Sequence, residues 1–375
     1  GNPGNISVMK KIFFLSILAL ALFSATSCKD NDDLPDNEFE LNEAQSNWSK
    51  RLLIQRPYSN VPQALQGEYC EVSTGFLYVK GDTVSAYASL KLNTEYTYIF
   101  TSKNAGLTWT MQSSQNGFIL SSEQLGEKSY ALRSYLSNVE FGSGQQYGGS
   151  WSWSNMAGNP GKIRVLNKDT LYAFGADGIR VSQNGGLNWT INSTLNATDI
   201  QNYDENTLIG IFGNEIRVSD DLGSNWTLLS TVTQTLYCIY KNPDGHWFAG
   251  GKNGCVLMSA DNGNSWIQKF NLTNIYPYAG LAQTQAIHFL DANNGFAAIS
   301  CPTIVNCGDN FEEMTGCILR TLDGGETWTV NYRTEFIRYS RLLSATGPNV
   351  MALGAQYRDN FVSGIYLTLT TTLGN

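Results

Sequence analysis

The sequence predicts an all-β fold assembled from repeated four-stranded units, and three observations predict it. An eight-residue pattern, Ser/Thr-x-Asp/Asn-x-Gly-x-x-Trp, occurs five times, at Ser102–Trp109, Ser182–Trp189, Ser219–Trp226, Ser259–Trp266 and Thr321–Trp328. Trp189, Trp226 and Trp266 lie 37 and 40 residues apart, room for four short strands in each unit. Glycine at 36 residues, 19 tyrosines and only 15% charged residues suit many short strands joined by tight turns. A chain of 375 residues could hold two or three ordinary domains, but growth by repetition favours one large one.

Each position of the repeat has a physical job. Asn104, Asn184, Asp221, Asp261 and Asp323 carry short side chains that can bond their own backbone two residues on and close a turn. Gly106, Gly186, Gly223, Gly263 and Gly325 supply the positive φ that such a turn needs. The hydroxyls of Ser102, Ser182, Ser219, Ser259 and Thr321 hold its other side, and Trp109, Trp189, Trp226, Trp266 and Trp328 bury a ring against the sheet where the chain re-enters. The pattern resembles the Asp-box, or BNR, repeat of sialidase-like β-propellers. That resemblance implies four-stranded antiparallel blades with a box between the third and fourth strands, and a structural rather than catalytic or metal-binding role for the box residues.

The chain order supports seven blades. Lys10-Lys11, an apolar run from Ile12 to Phe23 and the small residues before Cys28 have the three-part form of a secretory signal, too short to span a bilayer. The segment resembles a lipoprotein signal, with Cys28 as the acylated residue, and the acidic residues behind it resemble the surface-export signal of Bacteroidetes lipoproteins. Residues 1–27 are therefore read as a tag or misplaced start plus signal, 28–47 as an acidic tether and 48–375 as one propeller domain. The expected place is the outer membrane, facing the cell exterior or alternatively the periplasm.

A first blade is expected from Cys70 to Trp109. The step from Trp109 to Trp189 is 80 residues, two periods, so a blade with a decayed box lies between, its remnant at Gly148–Trp153. If 113–155 is not a full blade, the count falls to six. Blades follow at Lys162–Asn192, Asp199–Leu229 and Thr233–Phe270, and the 62-residue step from Trp266 to Trp328 marks one with additions. After Trp328 only three strands remain. An open edge needs cover, and Lys50–Arg56 is expected to pair with Ile365–Leu369 and close the ring.

Charge and motif content narrow the function. Removing residues 1–27, whose only charged side chains are Lys10 and Lys11, takes the formal charge from −8 to −10, which disfavours nucleic acid as a partner. Cys301, Cys307 and Cys317 crowd one insertion, where one disulfide is expected; the spacings do not suit a metal site, and no cofactor motif is present. The Arg-Ile-Pro context and the Tyr–Glu pair that the resemblance would imply for a sialidase are not found. Insertions at 271–285, 302–315, 331–341 and 356–363 instead gather on one face as a rim, with Tyr276, Tyr278, Arg333, Arg338, Arg341, Tyr357 and Arg358 as candidate ligand-binding residues. The resulting expectation is a monomeric, lipid-anchored, non-catalytic module that binds a glycan or a protein. The alternatives are a diverged sialidase-like exo-glycosidase and an assembly or scaffolding propeller resembling the photosystem-assembly and sortilin groups.

Overall fold

All five eight-residue repeats fold into the same turn. In each, the Ser or Thr hydroxyl donates to the Asp or Asn Oδ1 at 2.7–3.0 Å. It also accepts the glycine N–H at 2.8–2.9 Å. The Oδ1 then accepts a backbone N–H four residues on, rather than two, at 2.8–2.9 Å. The reason for the longer reach is that two consecutive residues have positive φ: Ala105, Gly185, Leu222, Asn262 and Gly324 precede the repeat glycines in that conformation. This curls the chain so that the later amide faces the side chain. Each turn ends with the indole N–H donating to the carbonyl of the repeat glycine at 2.8–3.1 Å. These bonds hold the Asp261 carboxyl down at about 2, chiefly through the Ser265 hydroxyl.

The turns join strands of a seven-bladed β-propeller. The computed structural model describes residues 48–55, 71–91, 94–145, 150–204, 207–306, 313–334, 337–344, 349–358 and 361–370. Cys28, the 28–47 tether, the signal segment and Cys307 lie outside them. The described chain opens with β1 (Trp48–Gln55). Blade one is β2 (Glu71–Lys80), β3 (Thr83–Lys91), β4 (Glu95–Ser102) and β5 (Thr110–Asn116). Blade two is β6 (Phe118–Leu125), β7 (Lys128–Tyr135), β8 (Asn138–Gln145) and β9 (Trp151–Met156), so 113–155 does hold a full blade. Blade three is β10 (Lys162–Val165), β11 (Leu171–Gly175), β12 (Gly178–Ser182) and β13 (Thr190–Ser193). Blade four is β14 (Asp199–Asn202), β15 (Leu208–Phe212), β16 (Glu215–Ser219) and β17 (Thr227–Thr231). Blade five is β18 (Leu236–Lys241), β19 (Trp247–Gly251), β20 (Cys255–Ser259) and β21 (Ile267–Phe270). Blade six is β22 (Gln283–Phe289), β23 (Gly295–Asn306), β24 (Glu313–Thr321) and β25 (Thr329–Thr334). Blade seven takes β26 (Ile337–Ser344), β27 (Val350–Arg358) and β28 (Phe361–Thr370) from the C-terminal end and β1 from the N-terminal end.

Burial follows position in the blade. Middle strands such as β12, β19 and β20 are buried along their whole length, because neighbouring blades cover both faces, whereas the outermost strands β5 and β13 are largely exposed. Among the described residues, seven apolar clusters form, one at each contact between successive blades. The repeats knit these contacts. Trp328 packs edge-on against Phe248 of the preceding blade, and a Cβ on Gly325 would meet the same ring at 2.3 Å. Gly186 likewise lies against Phe141, and Gly106 against Met351 across the ring closure. Glycine at this position thus serves both the positive φ and the close approach of the next blade.

The ring closes as the sequence predicts. β1 pairs antiparallel with β28, Ser49 opposite Leu369 and Arg51 opposite Leu367, with a bulge between Leu52 and Ile54. Trp48, 2% exposed, also supplies what blade seven lacks. Like the repeat tryptophans it stands at the entrance to an outermost strand; its indole N–H donates to Asn331 Oδ1 at 2.6 Å and its ring packs on Phe296 and Tyr332.

One expectation is narrowed and one corrected. Among the described residues no disulfide joins Cys301 and Cys317, which are buried on adjacent strands and out of register, Cys317 standing opposite Ile299; a bridge to Cys307 lies outside the described residues. The described parts of the rim insertions at 302–315, 331–341 and 356–363 are mostly strand rather than loop: Val305 pairs with Met314 and Tyr332 with Ile318, so β-branched and aromatic residues extend the ladders instead.

Trp226, 8% exposed, fills the contact between blades three and four. Trp226→Ala is expected to cost about 3–5 kcal/mol in urea unfolding. Leu187→Ser, at an 82% exposed position of another repeat, should change stability by no more than about 0.5 kcal/mol. Equal effects of the two would contradict the assignment of the tryptophans to the inter-blade cores.

Candidate functional site

Two features stand out where the strands of neighbouring blades end or converge. The first is the connection from blade five to blade six, which the antiparallel alternation places on the face opposite the repeats. Leu272–Asn274 form a single 3-10 turn capped by Asn271, whose side chain accepts the Thr273 N–H. The Leu272 N–H donates to Asn253, those of Tyr276 and Ala279 to Leu272 and Tyr276, and the Gly254 N–H to Ala282. Leu272, Ala279 and Ala282 are fully buried, so the connection is pinned from below. Its outward side shows Ile275 (49% exposed), Tyr278 (78%) and Leu281 (54%), three large apolar side chains within seven residues.

The expected rim residues are distributed unevenly around it. Tyr276 and Arg333 meet: the guanidinium donates to the Tyr276 hydroxyl at 3.0 Å and stands 5.7 Å from its ring centre. Tyr278 is exposed beside them in sequence. Arg338 and Arg341 lie on β26, the innermost strand of blade seven, and not on a loop, because β25 and β26 run almost directly into one another. Arg341 faces the central channel. Tyr357 and Arg358 end β27, opposite Val362 and Phe361; their side chains lie outside the described residues.

The second feature is that channel, a cavity of about 410 Å³ lined by the innermost strands of all seven blades. Its charges cluster. Arg164 bridges Glu123 and Asp199, bonding Asp199 Oδ1 at 3.0 Å, and its Nε donates to the Ile200 carbonyl at 2.7 Å. The carboxylates also hold backbone of neighbouring blades: Glu123 accepts the Val165 N–H at 2.8 Å and Asp199 the Ile239 N–H at 3.0 Å. Burial pushes the Glu123 carboxyl up and the Lys162 ammonium down, while Glu123 and Asp199 raise Arg164 against the cost of its burial. Cys238, also on the wall, is pushed up to about 12 by burial and so stays a thiol. The channel Tyr240 hydroxyl accepts the Phe289 N–H at 3.3 Å, and Glu123 is held by Arg164. None of these charged residues is conspicuous in the sequence. Glu123 and Arg341 are 218 positions apart, and only the ring brings them to one cavity.

His288 on the channel wall is pushed down to about 4 by burial. An imidazole that favours its neutral form in the folded state leaves the unfolded chain holding more protons between pH 4 and 6.5, so its contribution is complete above pH 6.5 and is lost as pH falls toward 4. The parent is therefore expected to lose more stability than His288→Gln between pH 7 and pH 4.5 in urea titrations. Parallel slopes for the two proteins would contradict burial of a neutral histidine.

No protein-family model matches the sequence, and no curated protein matches it. Solved structures do. A structure titled "YCF48 bound to D1 peptide" aligns with 87% of this chain and 96% of its own, at a TM-score of 0.57 and 14% identity. "YCF48 from Cyanidioschyzon merolae" aligns with 79% of this chain and 98% of its own, at a TM-score of 0.54 and 13% identity. At that identity the likeness is one of architecture: the chain is a seven-bladed β-propeller with structural similarity to the Ycf48 propellers.

Proposed function

We propose that the chain is a non-catalytic propeller that holds a segment of a protein partner on the face carrying the 271–282 connection. The observation that carries this reading is the apolar tip Ile275, Tyr278 and Leu281, kept out in water by a connection whose own backbone and underside are fixed. Exposing such side chains on a rigid support disfavours the free surface and pre-orders the contact, so little conformational entropy is lost on binding. The neighbouring Tyr276–Arg333 pair adds an aromatic and a planar donor group of the kind that anchors protein interfaces. A propeller of similar fold is titled as bound to a peptide, which supports a protein partner for this architecture.

A tiled peptide array and a glycan array, both probed with soluble residues 29–375, test the reading. Peptides with apolar anchors should bind, and Tyr278→Ala with Leu281→Asp should weaken them by at least about tenfold, the scale of central interface residues. Selective glycan binding that survives the double substitution would overturn it. The lipid anchor at Cys28 belongs to the same proposal. Cys28→Ser should move the full chain from the detergent phase to the aqueous phase, and recovery in the detergent phase would exclude acylation there.

A further inference from the structure

The central channel holds more positive than negative charge. Its wall carries three cations, Lys162, Arg164 and Arg341, against two carboxylates, Glu123 and Asp199. Arg164 takes both carboxylates. Among the described residues neither Lys162 nor Arg341 closes an ion pair. Lys162 Nζ donates to the Thr198 carbonyl at 2.7 Å, and Arg341 Nη1 to the Ser340 carbonyl at 2.9 Å. An ammonium has three donors and a guanidinium five, so these two bonds use only a small part of the hydrogen-bonding capacity the two side chains bring to the cavity wall. The two cations stand on opposite sides of the ring, in blades three and seven; burial pushes the Lys162 ammonium down, Asp199 raises it in part, and Arg341 pushes it down again. They repel one another in a confined space where water screens poorly. The excess does not depend on the protonation of the buried pair: if Glu123 gained a proton and Lys162 lost one, Arg164 and Arg341 would still face Asp199 alone.

We propose that the channel binds a carboxylate, held between Lys162 of blade three and Arg341 of blade seven. One carboxylate matches the single excess charge, and the planar guanidinium presents paired donors to its two oxygens while the ammonium supplies a point charge from the far wall. Gln201 on the same wall offers an amide donor, and Phe76, Tyr240 and Leu342 give the remainder of a ligand apolar surface. Arg164, Glu123 and Asp199 act as the fixed frame, since their bonds tie blades two to five together whether or not the cavity is filled. A carboxylate of this kind can come from a small organic acid or from the free C-terminus of a peptide that enters the channel. The site shares no residue with the 271–282 tip and stands or falls independently of the partner reading.

Calorimetric titration of the protein with succinate, with trialanine, with trialanine amide and with inorganic phosphate separates the possibilities. Either succinate or trialanine should bind, the first identifying a small acid and the second a peptide terminus, while trialanine amide should not. Arg341→Gln and Lys162→Gln should each weaken the bound carboxylate at least tenfold, and Tyr278→Ala should leave it unchanged. Lys162 also bonds the backbone of blade four, so Arg341→Gln, which gives up only a bond to its own neighbour, remains decisive should Lys162→Gln fail to fold. No heat with succinate or trialanine at 10 mM (about the weakest affinity such a site should show), equal binding of trialanine and its amide without succinate binding, tighter binding of phosphate than of either carboxylate, or full binding by Arg341→Gln would each overturn the proposal.

Discussion

The pairing of β1 with β28 is the constraint on which the rest of the molecule depends. Seven blades each bury both faces of their middle strands against neighbours, so an unclosed ring would leave blade seven with a bare edge and the cluster between blades six and seven open to water. The N-terminal strand covers both at once. Its backbone completes the sheet, and Trp48 fills the gap between blades six and seven with its indole N–H bonded to Asn331. Contact order is necessarily high for this step, because residues more than 300 positions apart must meet. The channel charges also depend on closure. Arg341 faces Lys162 only because blade seven is brought round to blade one.

Much of this was legible in the sequence. Five copies of one turn, with tryptophan kept in register, specify hairpins and a blade period, and the missing fourth strand of the last blade points to the N-terminal segment that fills it. Trp48 carries a further signal: Trp48-Ser49, a tryptophan followed by a hydroxyl residue, is like the Trp-Thr steps that lead into β5, β13, β17 and β25. Blade two lost its turn motif but not its aromatic filling. Trp151 and Trp153 stack at 5.1 Å and lie over Gly144 and Gly142, and Arg133 sits 4.1 Å from the Trp153 ring.

The candidate sites were less legible, for a geometric reason. A propeller gathers one or two residues from each blade into its channel, so Glu123, Lys162, Arg164, Asp199, His288 and Arg341 form no motif along the chain. Arg341 was marked by its place near other arginines, but was expected on a rim and stands in the channel. On the rim, polar and β-branched stretches such as Thr303-Ile-Val look like insertions in a one-dimensional count. They become part of longer hairpins, where Val305 and Asn306 pair with Met314 and Glu313 beyond a break in register after Ser300. Tyr276 and Arg333 stand out in the sequence by residue type, and the fold brings them together. Ile275 and Leu281 carry no sequence signal of their own, since only the burial of Leu272, Ala279 and Ala282 beneath them shows which apolar residues of that connection face outward.

The division of labour between faces follows from the same physics. The repeats fix one face through recurrent hydrogen bonds and indoles set between the blades, leaving the opposite connections to vary without loss of the ring. Closure must therefore be as stable as the ring itself. Native-state hydrogen exchange at the β1 and β28 amides tests this most directly. The account predicts that β1 amides exchange only through global unfolding, with protection matching that of the middle strands β12 and β20. Rapid exchange of β1 while those strands stay protected would show that the ring does not need its N-terminal strand, and would contradict the account.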